Sequence, residues 1–412
     1  MTWLDLPADD LFGIDNLPYG VFSTETTSAR VGVRIGGLVL DLPAVAEAVG
    51  MESGVVWRAG SLNPFLAHGR EAWTSARAWL TDILTNDSYR DAVEPHLVPL
   101  TDVRMHLPIA VADYVDFYAS EHHATNVGRI FRPDSEPLTP NWKHLPIGYH
   151  GRSGTVVVSG TDIVRPSGQS KPPADDTPRF GPSARLDIEA ELGFVVGGAT
   201  ELGEPVSLAD ADDHLFGVVI LNDWSARDLQ AWEYVPLGPF LGKSFATSIS
   251  PWVITMDALT QARIPLPGQD PQPLDYLRGS ADSDNSDLYG LDIDYEVEWN
   301  GTVVSRPRYR DMYWSPAQML THMTVNGATL RNGDLFGSGT ISGPEKDTRG
   351  CFLELTWSGQ EPLALGDGSE RSFLEDGDTV VLRATAVGPH GSRIGLGECT
   401  GTITPARPPV GQ

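Results

Sequence analysis

Cysteine is almost missing from this chain: 412 residues contain two, Cys351 and Cys399. One pair makes no disulfide scaffold, and neither CxxC nor a Cys/His zinc spacing occurs, so two buried free thiols in a reducing compartment are expected. Basic residues are scarce as well. Lys+Arg number 29 against 55 Asp+Glu, a net charge of −26. Such a surface repels phosphate backbones and anionic lipid, which excludes nucleic acid and membrane surfaces as expected partners. No apolar run approaches the roughly 18 residues of a membrane span, and Met1–Pro7 has neither the basic nor the apolar region of a secretory signal. A soluble, cytoplasmic protein is expected. No GxxxxGK[ST] spacing occurs and no GxGxxG follows a strand, which excludes the common nucleotide loops. An anionic substrate would need local positive charge, or a divalent cation, against the global field.

What is present reads as globular and β-rich. Hydrophobic residues make up 41% and charged residues 20%, so the chain can bury a sizeable core, and its length allows two or three domains at about 100–200 residues each. Gly 43 and Pro 32 supply many turns. Val31, Val33 and Ile35 alternate into Gly36-Gly37, and Leu38, Leu40 and Leu42 alternate back, a hairpin pattern. Ala72, Trp73, Ala76, Trp79, Leu80 and Ile83 recur at three and four, predicting a helix near 69–84. After the Pro-containing stretch 91–108 the texture changes. Residues 1–110 read as a small, mainly β domain, and 111–412 as one large β-rich domain. Its expected strands are 156–158, 186–196, 215–221, 291–299 with a turn at Asn300-Gly301, then 352–357, 379–386 and 398–404. The polar segment 279–290 reads as an exposed loop.

Four segments carry chemistry. In 113–132, Asp116 and Tyr118 share a face of an extended segment, and His122 and His123 follow at once; histidine is the usual base near neutral pH. Asp187, Glu189 and Glu191 alternate with Ile188, Ala190 and Leu192, which places three carboxylates on one strand face. Like charges at that spacing repel unless a cation or water separates them, and carboxylate oxygens suit a hard ion, Ca²⁺ or Mg²⁺. Residues 222–235 read as a short helix stopped by Pro236, with Asp223, Arg227, Gln230 and Tyr234 on one stripe and Trp224 and Trp232 marking burial. Lys243 follows in an apolar, Gly-rich loop. Lastly, Gly337-Ser-Gly339-Thr340 precedes Glu354, a carboxylate in an apolar strand that is either paired in the interior or an orienting group.

The stretches DYVDFYASEHHATNVGRIFRP, NWKHLPIGYHGRSGTVVVSG, NDWSARDLQAWEYVPLGPFLGKSF, MYWSPAQMLTHMTVNGATLR and GSGTISGPE occur in the order of the fumarylacetoacetate hydrolase family, from about 113 to 404. The chain resembles that family, whose members cleave a C–C bond at the end of tyrosine and phenylalanine breakdown. The resemblance implies a mainly β fold, a small N-terminal SH3-like barrel followed by a large β-roll domain, and a homodimer. It implies a metal on Asp116, Glu189, Glu191 and Asp223, with Lys243 and Thr247 holding a second, structural Mg²⁺. It places the base on His123, oriented by Glu354, and oxyanion donors on Arg227, Gln230 and Lys243. Tyr118, Arg132, Tyr149, Gln230, Tyr234 and Thr340 fall on substrate-contacting positions. His122 departs from the Gln of animal members. The implied reaction is hydrolysis of fumarylacetoacetate to fumarate and acetoacetate. Two alternatives stand beside it: a related diketo-acid enzyme, such as an acylpyruvate hydrolase or a decarboxylase-isomerase of oxo-diacids, and a non-catalytic Ca²⁺-binding β-module.

Overall fold

A computed structural model describes residues 2–279 and 288–408; most of the polar segment 279–290 lies outside them. The predicted hairpin is a three-stranded unit, Tyr19–Thr24, Thr27–Ile35 and Leu38–Asp41, with Gly36 at φ +56° making the turn. Leu42 is not its last strand residue. Asp41 ends the strand and its carboxylate accepts from Ala44 N at 3.3 Å, so Leu42 opens a helix, Leu42–Ala48, with Pro43 in the first turn. The 3.6-residue periodicity is realised as helix Gly69–Thr85, which buries Trp73, Ala76, Leu80, Ile83 and Leu84.

A 13-stranded sheet runs through both halves of the chain. Its N-terminal part is Leu97–Pro99, Leu38–Asp41, Thr27–Ile35 and Tyr19–Thr24. Tyr19 then pairs with Val253, and the order continues through Trp252–Thr255, Leu215–Asp223, Ala190–Val196, Leu335–Gly337, Tyr114–Phe117 and Gly148–His150. A five-stranded sheet, built from Ile163–Val164, Ile293–Trp299, Thr302–Ser305, Thr379–Val387 and Arg393–Thr404, packs beside it.

Strand Leu215–Asp223 is buried on both faces. Val218 and Ile220 join one core with Leu382, Ala384 and Leu396. Phe216, Val219 and Leu221 join a second with Leu66, Trp73 and Val253. Double burial explains why this strand reads as a continuous apolar run rather than an alternation.

Three expected elements differ. Residues 186–196 are two strands, Leu186–Asp187 and Ala190–Val196, broken at Ile188-Glu189. The helix expected from 222 begins at Arg227 and runs to Glu233, because Asp223 still pairs with Thr247 in the sheet. The expected strand 352–357 is a short helix, Phe352–Leu355: Asp187 accepts from the N–H groups of Phe352 and Leu353 at 2.7 and 3.0 Å and satisfies its open end.

Candidate active site

Neighbouring strands of the large sheet end together and bring their last residues to one place. Gly337 lies opposite Gly193 on one side and Asp116 on the other, Asp116 opposite Tyr149, and Glu191 opposite Leu221. Asp116, Glu189, Glu191 and Asp223 therefore meet, with a ligand oxygen of each within 4.8 Å of the others, all four buried. Asp223 is on the strand rather than the helix, and Glu189 sits in the break between strands, so the four come from three chain segments that turn inward. Asp187 does not join them. Its carboxylate turns to the helix Phe352–Leu355 and to Arg227, correcting the expectation of one three-carboxylate face.

The cluster divides by partner. Glu189 is met by Arg227 Nη1 at 2.7 Å and Lys243 Nζ at 2.6 Å. Asp223 accepts from Lys243 Nζ at 2.7 Å and Thr247 Oγ1 at 3.0 Å. Asp116 Oδ1 and Glu191 Oε1 have no hydrogen-bond partner among the described residues. Burial, and after it the Asp223 charge, pushes the Asp116 carboxyl well above its usual range; burial, then Asp116, does the same to Glu191. Burial alone would raise Glu189 too, but Lys243 and Arg227 outweigh it and hold it far below. Two buried, unpartnered carboxylate oxygens beside two cation-paired ones form an all-oxygen donor set with negative charge in excess. That set fits one hard divalent cation. The glycines around it make room: a Cβ on Gly337 would lie 2.5 Å from Glu191 Oε2, and Gly339, at φ +78°, donates its N–H to that oxygen at 3.0 Å. The Gly337-Ser-Gly339 signal therefore belongs to a carboxylate cradle.

Beside the cluster lies a cavity of about 570 Å³ lined by Asp116, Tyr118, His123, Arg132, Tyr149 and Glu189. Arg227, Gln230, Tyr234, Lys243 and Thr340 line it as well. His123 is the third residue of helix Glu121–Phe131, whose first turn is capped by Ser120 Oγ accepting from His123 N at 3.2 Å. Its ring lies edge-on to Tyr118 at 5.2 Å. Residues three apart share a helix face, so His123 and Asn126 both reach Glu354: His123 Nδ1 is 2.6 Å from Oε2, and Asn126 Nδ2 donates to Oε1 at 2.8 Å. His122, a third of a turn away, points elsewhere and stays part-exposed. Ser342 Oγ and Cys351 Sγ also donate to Glu354 Oε2, at 2.8 and 3.2 Å. Burial raises this carboxyl, but His123, then Asn126 and Ser342, outweigh it and hold it at about 2. Both Glu354 oxygens are thus engaged by donors that favour the ionised form.

Arg227 opens the helix Arg227–Glu233, with Gln230 one turn on and Tyr234 at its end. Its Nη1 also donates to Gln230 at 3.1 Å, while Nη2 and Thr340 Oγ1, both buried, have no partner among the described residues. Arg132 closes helix Glu121–Phe131 and is held by Pro137 O at 2.9 Å. Trp224 is fully buried as expected, but Trp232 is 42% exposed: with the helix starting at Arg227, that position faces outward. Asn126, Ser342 and Cys351 were not legible as site residues. Their only sequence signal is that a carboxylate inside Phe352–Leu355 must find donors somewhere.

Residues 15–108 match the family model described as Fumarylacetoacetase N-terminal, and 113–404 the model described as Fumarylacetoacetate (FAA) hydrolase C-terminal. The chain is similar to fumarylacetoacetase of Arabidopsis thaliana, 47% identical over 426 residues covering 99% of each chain. To that of Homo sapiens it is 45% identical over 422 residues, 98% of this chain and 99% of the relative. Among solved structures, a maleylpyruvate hydrolase from Sphingobium sp. SYK-6, in complex with manganese (II) ion and pyruvate, shares the fold at a TM-score of 0.52 and 14% identity, over 95% of this chain and 100% of that one. Both halves match in order and the relatives align end to end, which leaves one conclusion: this chain belongs to the fumarylacetoacetase family.

Proposed function

We infer that this cavity is where the chain hydrolyses the carbon–carbon bond of 4-fumarylacetoacetate, giving fumarate and acetoacetate, the step that ends tyrosine and phenylalanine breakdown. One observation carries the residue assignment: the buried His123–Glu354 pair and the carboxylate cluster open onto the same cavity. With Nδ1 bound to Glu354, His123 keeps Nε2 for the cavity and takes a proton there from water. Glu354 stabilises the resulting imidazolium. The hydroxide adds to the carbonyl next to the fumaryl group. Arg227, Gln230 and Lys243 donate to the oxyanion; the free Nη2 of Arg227 is the nitrogen available for it. Arg132, Tyr118 and Tyr149 hold the carboxylate end of the substrate, and Tyr234 and Thr340 complete its contacts. Collapse of the adduct breaks the C–C bond and releases the acetoacetate carbanion, which takes a proton.

Asp116, Glu189, Glu191 and Asp223 would hold a divalent cation, Ca²⁺ or Mg²⁺, and Lys243 and Thr247 flank Asp223 where a second Mg²⁺ is proposed. Such a cation supplies Lewis-acid stabilisation of developing charge on the diketone oxygens. We further propose an SH3-like N-terminal domain, 1–110, a catalytic β-roll domain, 111–412, a homodimeric assembly and a cytoplasmic location. An acylpyruvate hydrolase is not favoured, given end-to-end identity to curated fumarylacetoacetases. A non-catalytic Ca²⁺ module would leave the His123–Glu354 pair without a purpose. Loss of the near-ultraviolet diketone absorbance with purified protein, with His123→Ala as control, tests the reading; equal rates for the two proteins would refute it.

A further inference from the structure

Asp187 has no part in the chemistry above, yet one of that chemistry's main groups leans on it. Its side chain is completely buried. Oδ2 accepts from Arg227 Nε at 2.8 Å and from Leu353 N at 3.0 Å. Oδ1 accepts from Phe352 N at 2.7 Å and from Ile188 N at 2.8 Å. Phe352 and Leu353 begin the turn that carries Glu354. One carboxylate therefore ties the back of the Arg227 fork to the element that bears the partner of His123.

We propose that Asp187 is a positioning residue for the hydrolysis: it fixes the plane of Arg227 relative to the His123–Glu354 pair. A guanidinium is flat and rigid. With Nε held by Asp187 and Nη1 by Glu189, its orientation is set and Nη2 is left for a ligand. The two anchors reach Arg227 from either side of Ile188. Asp187 itself is built for donors only. All four of its partners are N–H groups, and a carboxylate presents acceptors alone. Satisfying the open end of helix Phe352–Leu355 accounts for two of the four bonds, but stability gives little reason for the bond to Arg227, because a buried ion pair is often replaceable by apolar residues without loss. Glu354 has side-chain donors of its own in His123, Asn126 and Ser342, whereas Arg227 Nε has Asp187 alone, so the effect on catalysis is assigned to Arg227.

The inference rests on the oxyanion role given to Arg227, and the test separates the two. Asp187→Asn keeps the shape but faces an amide N–H toward N–H donors. Measured with Asp187→Asn, Arg227→Ala and the double variant, kcat, KM and Ca²⁺ affinity by calorimetry should behave as follows. Asp187→Asn lowers kcat about 10²-fold, the scale of one oxyanion donor, with KM and Ca²⁺ affinity within about threefold of wild type. The double variant is within about threefold of Arg227→Ala, since no fork remains to hold. The proposal is overturned if Asp187→Asn keeps kcat within threefold, if the two losses multiply, or if KM and Ca²⁺ affinity collapse together with kcat. Full activity of Arg227→Ala would instead remove the oxyanion role, and this inference with it. Should Asp187→Asn be insoluble, Arg227→Lys decides. It leaves Asp187 and the charge in place, but one ammonium cannot span both Asp187 and the cavity. It should match the Arg227→Ala loss, and retention of kcat within threefold would overturn the proposal.

Discussion

Glu191→Gln should stabilise the metal-free protein while weakening its hold on metal. Without a cation, Asp116 and Glu191 face each other with unpartnered oxygens, and the ligand atoms of the cluster lie within 4.8 Å. At that distance two unit charges repel by about 3.5 kcal/mol for an effective dielectric constant near 20. Protonation relieves part of this, because both carboxyls are raised above their ordinary values. The sign follows from linkage: a raised carboxyl binds extra protons in the folded state, so metal-free stability falls as pH rises through the raised value. The gain from Glu191→Gln therefore grows with pH toward the ceiling of about 3.5 kcal/mol. Unfolding entropy of about 2.1 cal/mol/K per residue over the chain turns that ceiling into a Tm increase of about 4 °C. The amide oxygen that Glu191→Gln introduces can still accept from Gly339 N, so the cradle survives. Added Ca²⁺ should reverse the order: wild type gains about 2.7 kcal/mol at a hundredfold excess over Kd, and the variant gains much less. Scanning calorimetry of both proteins after chelation, at pH 6 and 8.5 and with and without Ca²⁺, reads all eight values. A metal-free Glu191→Gln protein less stable than metal-free wild type at pH 8.5, or an equal Ca²⁺ response in the two, would refute the assignment of Glu191 to an electrostatically frustrated metal site.

His123→Ala should fold and bind Ca²⁺ but lose roughly 10²–10⁴ in kcat, the usual worth of a general base, while His122→Gln keeps wild-type rates; a spectrophotometric assay of the pair decides between them. Arg132→Ala should raise KM more than it lowers kcat, because a contact to a remote carboxylate contributes uniform binding; steady-state kinetics showing the reverse would put Arg132 in the chemistry. Glu354 is held at about 2 against an ordinary value of 4.5, so its stabilising contribution is complete above about pH 4.5 and lost as pH falls toward 2. The gap in unfolding free energy between wild type and Glu354→Gln should narrow over that window in urea titrations. Chelation should abolish turnover, with Ca²⁺ or Mg²⁺ restoring it.

Side chains whose chemistry announces itself were legible in the sequence. A His pair beside an Asp and a Tyr led to His123 at the cavity, and Glu189 and Glu191, two apart, led to the carboxylate cluster, while Asp187 of the same run serves Arg227 and the helix Phe352–Leu355 instead. The helix Gly69–Thr85 followed from one clean period, and the turn at Gly36 from its glycines. What failed did so where neighbours distant in sequence decide. Phe352–Leu355 is four residues, three of them apolar, too short for periodicity to separate strand from helix; it is a helix because Asp187, 165 positions away, accepts its first N–H groups. The Asp223–Tyr234 stripe was one helix on paper but straddles a strand end, because Thr247 holds Asp223 in the sheet. Asn126 and Ser342 look like any polar residues until Glu354 is placed beside them.

Strand Leu215–Asp223 packs one face against each core and carries Asp223, one of the four clustered carboxylates, at its tip. Trp73 and Leu66, from the N-terminal part, lie in the same core as Phe216 and Val219, and Tyr19 continues the sheet through Val253. The boundary between the two family models near residue 110 is therefore a boundary of sequence, not of cooperativity. A chain starting at 111 would present Trp252–Thr255 as an open edge and Phe216, Val219 and Val253 as bare apolar surface, the description of an aggregating fragment. The same continuity gives a lesion far from the cavity a route to it. A substitution that loosens Trp73 would reach Asp223 along one strand, so loss of activity from the N-terminal part should track loss of fold and be recoverable by whatever restores packing, such as low temperature or bound metal.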